Sequence, residues 1–494
     1  MMGRVVTLLA SSLGLVVLAV CNLAPVYDPP HFILPESYQG GGPFTVANPD
    51  EALSPRGDWW TLFGDPDLNQ LEDQLASANP TLQGAADAYA QARSLAAEAQ
   101  SHLAPQVNAS AAVSDNKSSV HRLFRNPSSP APIREASNQW GGAASWEPDF
   151  WYALRNSAHA QKRLAQSSAA DLAAARLSLQ AELASDYVAL RGLDAQLDVL
   201  HQSIASYELA VEVTRLRAAG QIASGLDLAR ASSQLDSAQA QETEVQLQRD
   251  LMQHAIAVLV GAVPSTFSIA ARKDFHMTPP QLPTGVPSQL LQRRPDIASA
   301  ERQMAAANAS IGVSRAAFYP NVTFSLSGGF QDNEFNLLSV SNSFWSVGAA
   351  AVLPLVDGGL RRAQLRHSWA QYAQTRDNYR ATVLAAFQEV EDGLSETQHL
   401  ATESTQQRAA SEQAGQALSI STLLYKDGLD NYLSVSIAQV QALAAQLSEV
   451  QTQTRRNQAD ISLIRALGGG WTVQQLPAEK QTLQFTESDY GVRR

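Results

Sequence analysis

The sequence contains little cysteine, little charge and few long apolar runs, and each shortage excludes a class of protein. A single cysteine, Cys21, cannot form an intramolecular disulfide or a thiolate zinc site. Charged residues make up 17% of the 494 residues, below the ~25% that is usual for soluble proteins, which indicates little charged surface in water. The 35 basic and 47 acidic residues give 35 − 47 = −12 without basic clusters, which argues against a nucleic-acid partner.

Sequence motifs for catalysis are also missing. The nine histidines are scattered, without the helical spacing of a zinc site. The chain contains no G-x-S-x-G nucleophile elbow, no G-x-G-x-x-G dinucleotide fingerprint and no phosphate-binding loop. We therefore expect neither an enzyme nor a bound metal or cofactor.

The N-terminus has the anatomy of a secretory signal. Arg4 precedes an uncharged apolar run over residues 5–20, and Cys21 follows directly. This position is typical of the acylated cysteine of a bacterial lipoprotein, although Val20 is bulkier than the usual preceding residue. The alternative is a signal peptide with an incidental cysteine. No later uncharged apolar stretch reaches the ~20 residues of a membrane helix, so a membrane crossing would require strands.

A tandem duplication organises the remaining chain. Pro80 and Pro295 are 215 residues apart, as are Pro105 and Pro320, and a later offset of 208 pairs Gly220 with Gly428. Each unit is predicted as short helix, strand, loop, strand, very long helix, turn and long helix. The predicted organisation is a signal peptide at 1–20, a lipidated extended segment at 21–60, repeat one at 61–262, a linker at 263–286, repeat two at 287–470 and a tail at 471–494.

Four alternating segments predict strands long enough to cross a membrane when tilted. They lie at 107–114, 139–146, 322–330 and 344–353. Aromatic residues lie in or beside them, where interfacial girdles would be: Trp140, Trp146, Trp151, Phe344 and Trp345. Four strands cannot close a barrel, so the membrane interpretation needs several chains; three would give twelve strands and a lumen. The alternative is a soluble antiparallel sheet with one buried face.

Long heptad-patterned segments predict coiled-coil hairpins that turn at Gly220 and Gly428. Residues 160–217 contain no proline, and at ~1.5 Å per residue they would extend about 90 Å. Apolar residues recur there with a/d spacing: Leu183, Leu190, Leu193, Leu197, Leu200, Ile204, Tyr207 and Val211. The second hairpin repeats the pattern more weakly with Val440, Leu443, Leu447, Val450, Ile461 and Ile464.

These residues resemble a known family over essentially the whole mature chain. The most specific segment is Pro287–Ile297 (PSQLLQRRPDI), followed by Ala300-Glu301 and Phe318-Tyr319-Pro320. The start at Cys21–Pro30, the pair Trp59-Trp60 and the segment Trp146–Trp151 add to it, although Pro148 and Tyr152 replace the usual Leu and Gly. The chain is similar to the bacterial outer-membrane efflux proteins, the TolC-like channels, in their OprM/NodT-type lipoprotein branch.

The resemblance implies an α+β membrane protein whose protomer gives four strands to a trimeric 12-stranded outer-membrane β-barrel. A long periplasmic coiled-coil α-barrel continues it. The implied function is passive conduction of small molecules, such as drugs in multidrug resistance, from an inner-membrane transporter and a periplasmic adaptor to the exterior. The outlet of a type I protein secretion system is the alternative. No cofactor is implied except a covalent lipid, such as palmitate, on Cys21.

The resemblance also assigns roles at the hairpin tips. Gly220 and Gly428 match the glycines that the adaptor contacts, with Gln221 and Leu429 beside them, and Tyr425 matches a tyrosine of the gate. Glycine suits these positions because it permits a left-handed turn and the close approach of a partner.

An acidic ring near the closed end is missing from its usual place. The family usually has an acidic residue where this chain has Ile437, and sometimes another at Ser434. Three copies of Asp427, Asp430 and Asp227 would supply a substitute that attracts cations. Alternatively these carboxylates are simply solvated, or Asp227 supports the start of its helix.

A lipid-anchored coiled-coil scaffold is the remaining rival. It explains the heptads but not the aromatic-flanked strands at matching places in both repeats.

Overall fold

The computed structural model describes residues 22–32, 57–117, 119, 134–272, 291–333 and 339–485. The signal segment 1–20, Cys21 and the start of the 287–297 motif lie outside the described residues. So does much of the two loops that follow the first and third strands.

Two similar units follow each other along the chain, each with a helix and two strands before a long hairpin, and the first unit begins with one additional helix. The first unit contains α1 (Pro66–Ala78), α2 (Pro80–Ser101), β1 (Gln106–Lys117), β2 (Arg134–Trp146), α3 (Ala153–Ala219) and α4 (Gly225–Leu259). The second contains α5 (Pro295–Ala316), β3 (Asn321–Asp332), β4 (Ser343–Val352), α6 (Leu360–Lys426) and α7 (Tyr432–Ala466). Short 3-10 turns lie at Trp59–Phe63, Val340–Asn342, Val473–Gln475 and Gln481–Leu483.

The four strands form one antiparallel sheet in the order β1-β2-β3-β4. The register aligns Ala111 with Trp140, Trp140 with Phe330, and Phe330 with Ser343. The strands cover the predicted segments except for Leu353, which lies just beyond β4, and have 12, 13, 12 and 10 residues. Within the described residues, β1 and β4 each have one edge without a partner strand.

The sheet does not bury one face as a soluble sheet would. Every residue of β1 is exposed, and large apolar side chains project freely, with Val107 75% and Trp345 78% exposed. A soluble sheet with one buried face is therefore the wrong interpretation. Gly329 lies where any side chain would collide with the carbonyl oxygen of Trp140, so this close strand contact requires glycine.

At each point where the chain leaves the sheet, a residue in the left-handed conformation precedes the long helix. Tyr152 (φ 57°) precedes α3, and Gly359 (φ 91°) precedes α6 at the matching place. The carboxylate of Asp149 accepts hydrogen bonds from the N–H groups of Leu154 and Arg155, at 3.0 and 2.9 Å, and so caps the start of α3. Tyr152 therefore makes this turn at the cost of backbone strain, whereas Gly359 makes the matching turn without it.

The two hairpins have equal arms. Helices α3 and α6 both have 67 residues, about 100 Å, and α4 and α7 both have 35. Every boundary in this part repeats after 207 residues, for example 360 − 153 and 432 − 225. The offset of 208 that pairs Gly220 with Gly428 is therefore wrong by one residue, whereas the offset of 215 holds for α2 with α5 and β1 with β3.

Matching contacts close each hairpin at the end that lies away from its tip. Asn79, the N-cap of α2, donates from its side chain to the carbonyl of Leu259, 2.7 Å away. Arg294, the residue before α5, donates to the carbonyl of Ala466 at 3.1 Å and pairs with Glu389 at 2.7 Å. Each contact ties the start of a short helix to the last turn of a returning helix, whose carbonyls lack helical partners.

The predicted a/d residues of α3 form the core of the hairpin wall. Leu200 and its neighbours are buried in one cluster with Leu443 and Leu447 of α7, and Leu183 and Leu190 are buried in another with Ile461 and Ile464 of α7. Val440 is the exception, because it is 48% exposed. Toward the tip, the inward face of α7 carries Val435, Gln439 and Ala442 instead. No helix in the described ranges is both long and apolar enough to span a membrane.

One carboxyl group is buried in this core without a partner. Glu72 of α1 is fully buried, and neither of its carboxylate oxygens accepts a hydrogen bond from any described residue. Burial, with a smaller effect from the charge of Asp73, raises the pKa of Glu72 to about 9. Because the folded pKa is above the unfolded value of 4.5, this group lowers the stability progressively as the pH rises from about 4.5 to about 9.

Glu72→Gln should reduce the pH dependence of stability. Between pH 6 and pH 8 the wild-type carboxyl costs the folded state about 3 kcal/mol per chain, because each pKa unit corresponds to ~1.4 kcal/mol. Thermal unfolding at both pH values should therefore differ less in the variant. Asp87→Asn, at an exposed position of α2, is the control. An unchanged pH dependence in Glu72→Gln would contradict this assignment.

Candidate functional site at the hairpin tips

The turns at the two tips have the same geometry. After the last helical residue and one capping residue, Gln221 (φ 59°) and Gly428 (φ 74°) adopt the left-handed conformation. Ile222 donates to the carbonyl of Arg217 at 2.8 Å, and Leu429 donates to that of Leu424 at 2.9 Å, which closes a Schellman turn in each case.

The left-handed turn does not fall on Gly220. This residue has φ −80° and is the C-cap of α3, because α3 ends one residue earlier than the glycine pairing implies. Gln221 takes the left-handed position, where Gly428 lies in the second tip. Leu429 is 74% exposed and Ile222 is 79% exposed. Leu429, which was predicted for docking, and Ile222, the residue after Gln221, thus present an apolar side chain at each tip.

Arg217 joins the two hairpins of one chain. Its guanidinium donates to the carbonyl oxygens of Tyr425 and Lys426, both at 3.1 Å. The same group lies 4.4 Å from the centroid of the Tyr425 ring. A cation placed against the last carbonyls of α6 interacts favourably with the helix dipole, and its face contact with the ring adds a cation–π attraction.

An aromatic cluster lies beside this contact. The rings of Tyr425 and Tyr432 meet edge to face at 5.5 Å, and the hydroxyl of Tyr207 donates to the carbonyl of Gln439 at 3.1 Å. Burial, followed by the nearby Tyr425, Tyr207 and Asp227, raises the pKa of Tyr432 to about 12. The hydroxyl of Tyr425 is buried and has no hydrogen-bond partner in the part of the chain that the structure describes. Tyr425 therefore contributes its ring and main chain to the contact, not its hydroxyl.

The acidic residues at the tips do not form one cluster within the chain. Asp227 forms a capping box with Ser224 at the start of α4, which agrees with the helix-support alternative. Asp430 accepts from the N–H of Asn431 at 2.7 Å, and Asp427 is exposed as the C-cap of α6. Ile437 is 50% exposed. The described residues contain no group of acidic, His or Cys side chains suited to hold a metal ion.

An apolar groove of about 580 Å³ leads away from the tips. Its floor is α7, and α3 and α6 form its sides. The floor residues repeat at alternating intervals of three and four, as in the seam of a coiled coil: Tyr432, Val435, Gln439, Ala442 and Gln446.

The two hairpins are anchored differently above the tips. In the first, Asp194 pairs with Arg191 at 2.9 Å and with Arg249 at 2.6 Å, and all three are buried. The network extends to Asp65, which precedes α1, and to Asp67 in the first turn of α1.

The second hairpin lacks this ion-pair network. With the offset of 207, Gln398 and Ala401 replace Arg191 and Asp194. The buried Nε of Arg456 has no hydrogen-bond partner among the described residues. Burial raises the pKa of the nearby Asp460 to about 7. The first hairpin is thus the more firmly anchored of the two.

The family follows from a direct match of most of the chain. Residues 71–262 and 286–469 match the family model described as outer membrane efflux protein. The chain belongs to this family. Members of this family form channels in the outer membrane and are not enzymes. The prediction that this chain is not an enzyme is therefore confirmed.

Relatives and solved structures agree with the match. The pyoverdine export outer membrane protein OpmQ of Pseudomonas aeruginosa is 30% identical over 84% of this chain and 87% of its own length. Outer membrane protein OprJ of the same species is 29% identical over 92% of this chain and 94% of its own. The solved outer-membrane channel OprN superposes with a TM-score of 0.83 at 27% identity, over 91% of this chain and all of that one. These likenesses confirm the predicted fold class.

Arg217 is the tip residue that the sequence analysis missed. Nothing in its surroundings marks it, because arginine is common in the last turn of a helix. With the offset of 207, the position equivalent to Arg217 is Leu424, so the repeat gives no sign of the role of Arg217 either. Only the packing of the two tips places its guanidinium on carbonyls 208 and 209 residues away.

Proposed function

We propose that this outer-membrane efflux protein is the exit duct of a three-part pump that expels small molecules. An adaptor and an inner-membrane transporter would supply the cargo and the energy, and the channel would conduct passively. The export of small molecules stated for relatives such as OpmQ and the toluene efflux pump outer membrane protein TtgF supports this choice. The observation that carries it is a four-stranded exposed sheet continued by two hairpins with apolar tips.

The proposed assembly is a homotrimer. The free edges of β1 and β4 would expose unpaired N–H and C=O groups to lipid, which costs several kcal/mol for each group. Pairing β4 of one copy with β1 of the next removes both edges, and three copies give twelve strands. A ring of twelve leaves space for a lumen, whereas eight strands would be filled by side chains.

The N-terminal segment supports a lipid anchor at Cys21. The next residues follow α5: the side chain of Asn308 donates to the carbonyl of Pro25 at 2.9 Å, and Arg315 donates to that of Leu23 at 3.1 Å. The side chain of Asn156, in the first turn of α3, donates to the side chain of Asn22 at 3.0 Å, near the end of the sheet from which α3 leads away. Cys21 would thus enter the inner leaflet beside the barrel.

Mass spectrometry of the mature N-terminal peptide should give an acylated Cys21; an unmodified cysteine would contradict the anchor.

The proposed gate is the closed contact between the tips, held by Arg217. Opening requires α6 and α7 to move away from α3, and the weaker anchoring of the second hairpin makes it the moving arm. Rings of Asp427 and Asp430 from three copies would then favour cations at the constriction. Asp227 contributes less, because it caps α4.

Arg217→Ala should open the channel. The change removes two hydrogen bonds and the contact with the Tyr425 ring, so the conductance of the purified channel in planar bilayers should rise several-fold. Arg215→Ala is the matched control, because Arg215 pairs only with the exposed Glu212 on its own helix. Equal conductance of the two variants would exclude Arg217 as the latch.

A photo-crosslinking residue at Leu429 tests the adaptor. In the native host it should capture the adaptor of a proton-driven efflux pump, since Leu429 is exposed and the groove of α7 begins beside it. The same residue at Leu384, which is 62% exposed on α6 far from the tip, is the control. Capture of an adaptor from an ATP-driven secretion system would instead indicate polypeptide cargo, and capture of neighbouring subunits alone would contradict docking at the tip.

A further inference from the structure

A second cavity lies far from the tips, between α3 and the segment that follows α7. Its volume is about 280 Å³, near the lower end for ligand pockets, which suits a small molecule. Its walls are mostly apolar and include Leu172, Leu177, Trp471, Leu476 and Pro477. It shares no residue with the groove at the tips.

Two side chains give this cavity the chemistry of an anion site. Arg176 is the one ionisable side chain among the lining residues, and it has no hydrogen bond or ion pair with any described residue. Gln180, one helical turn further along α3, is only 7% exposed, yet its amide has no partner in the described part of the chain. Because this amide is open to the cavity, it is free to donate a hydrogen bond to a ligand there.

The main chain opposite brings a further donor. Gly468, Gly469 and Gly470 all have positive φ, and side chains on the first two would collide with Arg293 and Leu177. The N–H groups of Gly468 and Gly469 donate to carbonyls at the end of α7. The N–H of Gly470 has no backbone acceptor in the described ranges. Gly470 itself lines the cavity, so its main chain lies within reach of a ligand there.

The segment that covers the cavity is fixed in position. Gln166 of α3 donates to the carbonyl of Pro477 at 2.8 Å, and Arg163 pairs with Glu479 at 2.8 Å. Arg93 of α2 donates to the carbonyls of Thr482 and Gln484. The site is thus preformed, which lowers the ordering cost of binding.

We propose that this cavity binds a small carboxylate with an apolar body, held by the Arg176 guanidinium and the Gln180 amide. The planar guanidinium fork matches the two oxygens of a carboxylate. A single positive charge without a nearby carboxylate among the lining residues matches a monoanion better than a doubly charged phosphate. The leucine, tryptophan and proline side chains cover the body of the ligand. This inference is independent of the proposed pump function.

The probe is 3-(4-fluorophenyl)propanoate, and fluorine NMR follows its binding to the purified full-length protein. Saturable binding is expected for the wild type. Arg176→Gln should weaken it about tenfold or more, since a charge-assisted hydrogen bond is lost, and Gln180→Leu should weaken it several-fold. Arg215→Gln removes the same charge at an exposed position of α3 and should leave the affinity unchanged. Gel filtration establishes that each variant keeps its assembly state.

The uncharged amide of the same probe separates a carboxylate site from simple partitioning into apolar surface or detergent. It should bind at least about tenfold more weakly than the acid. The proposal is overturned if the wild type shows no saturable binding, if Arg176→Gln binds like the wild type, or if the amide binds as well as the acid.

Discussion

The free edges of the four-stranded sheet are the constraint on which the rest of the structure depends. An open edge is tolerated in water but not in lipid, where no solvent satisfies the unpaired main-chain groups. The sheet exposes apolar side chains on strands of 10 to 13 residues, so it suits a lipid environment only when further copies pair with β1 and β4. Closure of that ring fixes the number of helices below it, because each chain leads from the sheet into two hairpins.

Duplication gives these hairpins equal lengths, and their chemistry then makes them different. The arms match residue for residue at an offset of 207, yet the network around Asp194 occurs in the first hairpin alone. Charge pairs buried with good geometry are strongly destabilising to break, so they hold that hairpin firmly against α1. The second hairpin is joined to the first at the tip through Arg217, a contact with main-chain carbonyls that partial solvent exposure weakens. Similar geometry with unequal anchoring is what the proposed gate, with its one moving arm, requires.

Much of this architecture could be predicted because it depends on periodicity. Alternation located the four strands, heptads located the seam from Leu183 to Tyr207, and repeated prolines located the short helices. Errors occurred where single contacts decide. The tip turn falls on Gln221 and not on Gly220, since a glycine may cap a helix without being left-handed. Arg217 and Glu72 were missed because both depend on tertiary packing. Packing alone gives Arg217 its partners, and packing alone isolates the carboxyl group of Glu72.

Cysteine crosslinking across the free edges tests the central claim most directly. One cysteine would replace Ala111 in β1, and a second would be placed at each position of 345–351 in β4 in turn, in chains expressed in the native membrane. Pairing between copies predicts crosslinks at alternating β4 positions, because successive side chains point to opposite faces. The largest covalent product should be a closed trimer. Products limited to a dimer, an unlimited ladder, or no crosslink at any position would contradict a barrel built from three chains.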